Sequence, residues 1–328
     1  MNSSYSRRQF LKHSTLAVGA IAFTADGVLR AQSNTPPILT AAVKRTAVDE
    51  VTLGSTGIKI SRLGMGTGSG NGQRQTALGR EGFNNLVHYA FDQGVRYIDT
   101  AQSYATFQWI ADAIKGLPRE KIFIQSKIDG NPGDVLAAID RHRKVFNTEY
   151  VDSMLVHCTV HPNWTEQLKP VMDAFAEAKD KKWIRSKGVS CHSLPALRAA
   201  VTTDWTEVHL VRINPQGRRM DGMEEVMGGP RDPGHPIEPV LDELKKMRAK
   251  GRGVIGMKII GEGSFVNPED REKSIRFAMS RPEIDAVVIG FKSNAEIDEA
   301  IKRMNDALAE PPASVPAPPA NLSVPASS

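Results

Sequence analysis

The sequence YIDTAQSY at residues 97–104 joins a buried strand to two side chains that suit acid–base chemistry. Residues 95–98 are mostly apolar and either β-branched or aromatic, as is typical of buried strands. Asp99 ends this run, and Tyr104 follows five residues later, where the chain should already have left the strand. We therefore expect the chemistry of this protein wherever its fold brings further polar side chains to the same strand end.

Eight strand patterns, each followed by a helical pattern, make up the part of the chain around this segment. The strand runs consist mostly of Val, Ile, Leu and Met, as expected for parallel strands buried on both faces. About 255 residues in this order predict an α/β fold, a closed (β/α)8 TIM barrel over residues 50–308 with an N-terminal β-hairpin. The alternative is an open doubly wound sheet, but its G-x-G-x-x-G fingerprint is absent after the first strand. The predicted strands are 63–68, 95–99, 121–127, 151–157, 184–190, 208–213, 254–260 and 286–289.

Two of the connections between strands have a composition that predicts their local structure or role. Asn131 and Pro132 are typical of a helix start, so we predict a helix that opens there, with Asn131 as its cap. The connection at residues 214–236 is rich in Gly and Pro and unusually long, which indicates a lid or a binding loop.

The two ends of the chain lie outside the barrel pattern. Residues 1–31 contain SRRQFLK followed by a short apolar run, and they resemble a twin-arginine export signal. The resemblance implies recognition by the export machinery, a periplasmic location and, because the apolar run is too short to span a bilayer, no stable membrane anchor after cleavage. Residues 32–49 are predicted to be a linker, and the Pro/Ala/Ser-rich residues 309–328 a disordered tail.

Composition and charge narrow the function classes. The chain has 328 residues, of which 40% are hydrophobic and 24% charged, as in an ordinary globular protein. Its net charge of +5 is spread along the chain, so we predict no nucleic-acid surface.

Cys158 and Cys191 follow adjacent strand ends and could form a disulfide or, with His157 and His192, hold a metal. We expect two unpaired thiols and no metal site.

Three titratable residues share the strand ends at which βα barrels place their active sites. Asp99 ends the second strand, Lys127 the third and His157 the fourth. Consecutive strands are neighbours, so these side chains should converge with Tyr104 on one small volume. The alternative is purely structural, with Asp99 as a strand-end cap and Lys127 as its ion-pair partner.

The four residue types suit proton transfer to a carbonyl oxygen. A lysine beside a tyrosine is expected to lower the pKa of the phenol, and an aspartate would keep that lysine charged and in place. Tyr104 is thus the predicted general acid, and His157 is expected to polarise the carbonyl. No side chain can supply a hydride, so a nicotinamide cofactor is implied.

Several segments resemble the aldo-keto reductases, over about residues 51–308. DTAxxY at 99–104, Ser126-Lys127, and the segment from Tyr150 to His157 match the family's motifs in order. The resemblance implies reduction of a small aldehyde or ketone with NADP or NAD, by a tetrad of Asp99, Tyr104, Lys127 and His157. The cofactor contacts that it implies are Ser190, Cys191, Lys258, Gly261, Gly263, Gly290, Lys292 and Ser293.

The residues at the family's cofactor-binding positions depart from the family pattern. Cys191 stands where the family usually has Asn, Leu210 where it has Gln, and Glu296 where it has the Arg that grips the adenosine phosphate. The residue that stacks on the nicotinamide would be Ile213 or Met257. Lys258 could face a phosphate or pair with Glu262. These departures support a second hypothesis, an exported barrel that binds a ligand without catalysis.

Overall fold

A closed barrel of eight parallel strands forms the body of the protein. The computed structural model describes residues 44–226 and 234–310. A two-stranded antiparallel sheet of β1 (Glu50–Thr52) and β2 (Lys59–Ser61) precedes the barrel. The predicted (β/α)8 TIM barrel with an N-terminal hairpin is therefore confirmed. The export signal at 1–31, most of the linker at 32–49 and all but the first two residues of the tail at 309–328 lie outside the described residues and stay predictions.

Each barrel strand pairs in parallel with its neighbours in the chain, and the last strand pairs with the first to close the ring. The barrel strands are β3 (Leu63–Gly66), β4 (Tyr97–Asp99), β5 (Phe123–Asp129), β6 (Val151–Thr159), β7 (Ile184–Cys191), β8 (Val208–Arg212), β9 (Gly253–Met257) and β10 (Ala286–Gly290). The register between β5 and β6 places Asp129 opposite His157.

Helices connect the strands around the outside of the barrel. They are α1 (Gln73–Thr76), α2 (Gly79–Asp92), α3 (Ile110–Ala113), α4 (Val135–Val145), α5 (Trp164–Gln167), α6 (Lys169–Asp180), α7 (Leu194–Thr202), α8 (Glu238–Ala249), α9 (Pro268–Met279) and α10 (Asn294–Ala309). Helix α4 begins later than predicted, because Asp134 rather than Asn131 accepts the capping hydrogen bond, from Ala137 N at 2.9 Å. Within the described ranges, no helix is long and apolar enough to cross a membrane.

Side-chain alternation along the strands positions the polar groups at the barrel mouth. Tyr97 of β4 and Leu155 of β6 belong to the apolar cluster that fills the barrel interior together with the N-terminal hairpin. Residues two positions further along a strand point to the same side. Asp99, His157 and Arg212 therefore continue the inward rows of their strands and are buried at the C-terminal ends.

The folded body begins before residue 50, the predicted boundary. Ala47 is fully buried, its carbonyl accepts a hydrogen bond from Leu63 N at 2.8 Å, and its amide donates to Asn305 at 2.7 Å. Thr46 and Asp49 satisfy each other's polar groups in a turn, at 2.6 Å from Thr46 N to Asp49 Oδ2. Residues 46–49, at the end of the predicted linker, therefore form a turn packed on the barrel.

A buried histidine in β8 makes the stability of the barrel depend on pH. His209 is 1% exposed, and neither of its ring nitrogens hydrogen-bonds to another described residue. Burial, reinforced by Arg252 and Lys250, lowers its pKa to about 3. The unfolded chain binds more protons than the folded chain between this value and the ordinary histidine pKa of about 6.5. Stability is therefore lost as the pH falls through that window.

We expect His209→Leu to raise the free energy of unfolding by about 1–3 kcal/mol at pH 7, because it removes an unsatisfied buried polar group. At pH 5 the gain in the free energy of unfolding should be about 2 kcal/mol larger. At this pH the wild-type histidine binds a proton only in the unfolded chain, which favours unfolding, and leucine removes this effect. Denaturant unfolding at both pH values measures this difference. His161→Gln, at a half-exposed site, is the control and should change the free energy of unfolding by less than about 1 kcal/mol at either pH. A His209→Leu variant less stable than wild type at pH 5 would refute the explanation.

Candidate active site

The Lys127–Asp99 ion pair lies at the centre of the barrel mouth. The Lys127 ammonium donates to both Asp99 oxygens, at 2.7 and 2.8 Å, and to the carbonyl of Thr100 at 2.8 Å. Lys127 is only 1% exposed, so three acceptors satisfy its three donors. Gln125 holds the same carboxylate from the next inward position of β5, through a 2.9 Å bond to Asp99 Oδ1. The sequence did not single out Gln125.

The Tyr104 ring lies beside this pair and beside His157. Its centre is 5.1 Å from Lys127 Nζ and 5.7 Å from the centre of the His157 imidazole, in an edge-to-face arrangement. The four predicted catalytic residues therefore meet in one place. Gly68 makes room for the phenol, since a Cβ there would lie 2.3 Å from Tyr104 Cε2 and 2.8 Å from the hydroxyl. This glycine was missed at the sequence level, although it belongs to the glycine-rich segment after β3.

The pKa of Tyr104 differs from the prediction. Burial raises it well above its ordinary value, and the charge of Asp99 adds to the effect. The prediction of a lowered pKa assumed a lysine whose charge acts mainly on the phenol. Instead, the Asp99 carboxylate offsets the positive charge of Lys127. Burial then keeps the proton on Tyr104 at neutral pH.

His157 has a partner that the sequence did not suggest. Its Nδ1 lies 2.5 Å from Asp129 Oδ1. Burial lowers the pKa of His157, and the hydrogen bond with Asp129 only partly opposes this. Asp129 follows Gln125 and Lys127 on the inward row of β5, which is the signal that could have identified it.

The two thiols are unpaired. Cys158 Sγ lies 3.6 Å from His192 Nε2, and burial raises the pKa of Cys158 to about 12. Cys191 instead accepts a hydrogen bond from Thr159 Oγ1 at 3.3 Å. Among the residues that the structure describes, no three His, Cys, Asp or Glu side chains are grouped so that they could hold a metal.

A cavity of about 360 Å³ opens beside Tyr104 and Asp99 and extends to the first turns of α10. Four predicted cofactor residues line it: Lys258, Gly263, Gly290 and Lys292. The other four, Ser190, Cys191, Gly261 and Ser293, are not among the lining residues. Cys191 lies on the outward row of β7 and packs in the layer between barrel and helices, which corrects its prediction as a cofactor contact. Ser293 accepts the capping hydrogen bond from Glu296 N.

The charged groups around this cavity are mostly paired. Lys258 lines the cavity and also contacts Glu262 at 3.1 Å, so the predicted pair is present, and contact with a phosphate stays a prediction. Glu262 in turn binds Arg219 at 2.9 Å. Glu299 is held by Arg271 at 2.8 Å. Arg74 lines the same cavity and forms no ion pair with any of the described residues, so its charge is available to a ligand.

Comparison with known proteins agrees with this geometry. The sequence model of the aldo/keto reductase family matches residues 62–221. Over this segment, just under half of the chain, the protein resembles the aldo/keto reductase family.

Relatives with curated names resemble parts of this chain. The 9,11-endoperoxide prostaglandin H2 reductase of Trypanosoma cruzi is 29% identical over 40% of this chain and 45% of its own length. The 7-acetyl-epi-neemfruitin B aldo-keto reductase of Melia azedarach is 28% identical over 57% and 59%. The D/L-glyceraldehyde reductase of Hypocrea jecorina is 28% identical over 71% and 68%. The chain thus spans about half the length of the first two relatives.

Solved structures share the barrel. The holo form of an aldo-keto reductase from Bacillus halodurans has a TM-score of 0.62 at 14% identity, covering 80% of this chain and 95% of its own. An aldo-keto reductase from Klebsiella pneumoniae in complex with NADPH has a TM-score of 0.59 at 18% identity, covering 80% and 90%. At these identities the similarity is evidence for the fold alone.

Lys127→Met should be strongly destabilising, because it leaves the Asp99 carboxylate buried without its cation. We expect a loss of about 3–5 kcal/mol in the free energy of unfolding. The double variant Asp99→Asn/Lys127→Met should recover most of this loss, since both charges are gone. Lys144→Met, which breaks a mostly exposed pair with Asp140, is the control and should cost less than about 1 kcal/mol. Equal losses in the single and double variants would contradict the assignment.

Proposed function

We propose that this protein reduces the carbonyl group of a small aldehyde or ketone with a nicotinamide dinucleotide. The observation that carries the proposal is the protonated phenol of Tyr104 on the wall of the cavity, beside the Lys127–Asp99 pair. A phenol in this position can donate to an oxygen atom that develops negative charge. The name of the D/L-glyceraldehyde reductase that resembles this chain supports a small carbonyl compound as the substrate.

The residues around the cavity fit a nicotinamide dinucleotide. Apolar side chains such as Ile259 and Phe265 line its walls and suit the flat rings of such a molecule. Arg74 and Lys292 are cations on the lining, and α10 starts beside them. Lys292 Nζ lies 3.6 Å from Glu296, whereas Arg74 has no such partner among the described residues. Cations and the amides of a helix N-terminus both stabilise phosphate groups.

The side chains would divide the chemistry as follows. A bound reduced nicotinamide supplies the hydride. Tyr104, which stays protonated at neutral pH, would give its proton to the carbonyl oxygen. The charge of Lys127, held in place by Asp99, would stabilise the phenolate that remains. Lys127 therefore acts after the proton has left, rather than by lowering the resting pKa of Tyr104.

Tyr104→Phe tests this assignment. We expect kcat/KM for a small aldehyde such as glyceraldehyde to fall by about 10²- to 10⁴-fold, the usual contribution of a general acid. Cofactor affinity, measured by quenching of intrinsic fluorescence, should change little. Tyr89→Phe is the matched control, since the hydroxyl of Tyr89 bonds to Asp298 on an exposed part of the surface. Carbonyl reduction that survives in Tyr104→Phe would remove Tyr104 from the mechanism.

We further propose that the cofactor is NAD rather than NADP. Glu296 lines the cavity, and Glu299 lies one turn further along the same helix. Glu296 accepts a hydrogen bond from Lys292 N at 2.7 Å, so its carboxylate is fixed at the start of α10. A fixed anion repels the additional phosphate of NADP. The hydroxyl that NAD carries at the same place has no charge to repel.

Glu296→Gln should therefore strengthen NADPH binding by about ten-fold, the effect of removing one nearby like charge at a surface. NADH binding should change by less than about two-fold, because the added phosphate is absent. Dissociation constants from fluorescence quenching give both values. Asp298→Asn on the same helix removes an equal charge outside the cavity lining and is the control. If neither dinucleotide binds the wild-type protein at millimolar concentration, the ligand-binding barrel replaces the reductase as the favoured function.

A further inference from the structure

The contact between Asp129 and His157 determines where the imidazole carries its proton. Asp129 Oδ1 lies 2.5 Å from His157 Nδ1, and the two residues face each other across the β5–β6 pair. An ionised carboxylate can only accept hydrogen bonds. Nδ1 must therefore be the protonated nitrogen whenever the ring is neutral and Asp129 is ionised.

We propose that Asp129 is a positioning residue: it fixes the Nδ1-protonated form of His157 and leaves Nε2 as a bare acceptor until the ring becomes charged. Both residues are held by the barrel itself, because they lie in register at the ends of adjacent strands. His157 is 8% exposed, so water cannot easily replace the carboxylate as its partner. This arrangement belongs to the chain's own residues and is present without a ligand.

Several other groups face the His157 ring and influence its charge. They are Lys127 on the same strand as Asp129, Asp99 at the end of β4, Tyr104 in the following turn, and His192 after β7, whose ring centre is 6.2 Å away. Burial lowers the pKa of His157, and Lys127 acts in the same direction. Asp129 is the main group that opposes these effects. The ring is consequently neutral near pH 7.

The consequence for the site rests on the proposed carbonyl reduction. A carbonyl oxygen only accepts hydrogen bonds, so a bare Nε2 cannot contact it favourably. A charged imidazole donates from Nε2 and can hold the same oxygen. An alcohol hydroxyl can donate to the bare Nε2 instead. His157 would therefore assist reduction in its charged form and alcohol binding in its neutral form, with Asp129 setting the pH at which the two exchange.

Nitrogen-15 NMR of the ligand-free, histidine-labelled protein tests the proton placement directly. In wild type we expect the His157 signals above its pKa to show Nδ1 protonated and Nε2 bare. Asp129→Asn should shift the midpoint of the His157 titration downward by about one pH unit or more and mix the two neutral forms. Asp129→Glu keeps a carboxylate and should retain the Nδ1-protonated form. Asp140→Asn, which removes an acid on the surface of α4, should change neither property.

Two results would overturn the inference. One is a wild-type spectrum with Nε2 protonated in the neutral ring. The other is an Asp129→Asn titration that coincides with wild type although the variant is folded. Activity supplies an independent readout: the pH at which kcat/KM for reduction declines should move downward with the NMR midpoint in Asp129→Asn. If wild type binds no dinucleotide and reduces no carbonyl, the proposed function fails, whereas the NMR result still decides the proton placement.

Discussion

The buried ion pair between Lys127 and Asp99 is the interaction on which the site depends. Neither charge could remain at the barrel mouth alone, because an unpaired charge in a buried position costs several kcal/mol (roughly 3–5). The pair also needs the barrel, since Asp99 and Lys127 lie on neighbouring strands and are brought together by the inward rows of β4 and β5. Gln125 and the Thr100 carbonyl complete the hydrogen bonds of the pair. The inward row of the next strand, β6, places His157 beside the ion pair.

The sequence was sufficient to predict the barrel and the convergence of Asp99, Tyr104, Lys127 and His157 at its mouth, for a physical reason. Buried parallel strands have a distinctive composition, and strand ends are easily located in the chain. Contacts that depend on strand register were harder to predict from the sequence. Asp129 meets His157 only because β5 and β6 pair in one particular register, and Cys191 packs against the helices because it falls on the outward row of β7. A shift of one residue would reverse either outcome.

Electrostatic properties were the least predictable part of the site. The sequence indicated that Lys127 lies near Tyr104, which is correct, but proximity alone does not determine the direction of a pKa shift. The outcome depends on burial and on what else binds the lysine, and both are properties of the folded chain. The same applies to Glu296. Its charge can be read from the sequence, but its effect follows from its place on the cavity wall.

Asp129 links the two proton-carrying groups at the strand ends. Its negative charge contributes to the raised pKa of Tyr104, although burial and Asp99 contribute more. When His157 becomes charged, it neutralises Asp129, so part of the field that holds the proton on Tyr104 disappears. Charging the imidazole thus creates a donor at Nε2 and makes the phenol more acidic at the same time. Because the groups interact in this way, the protons belong to the cluster of Tyr104, Asp129 and His157 rather than to any one residue.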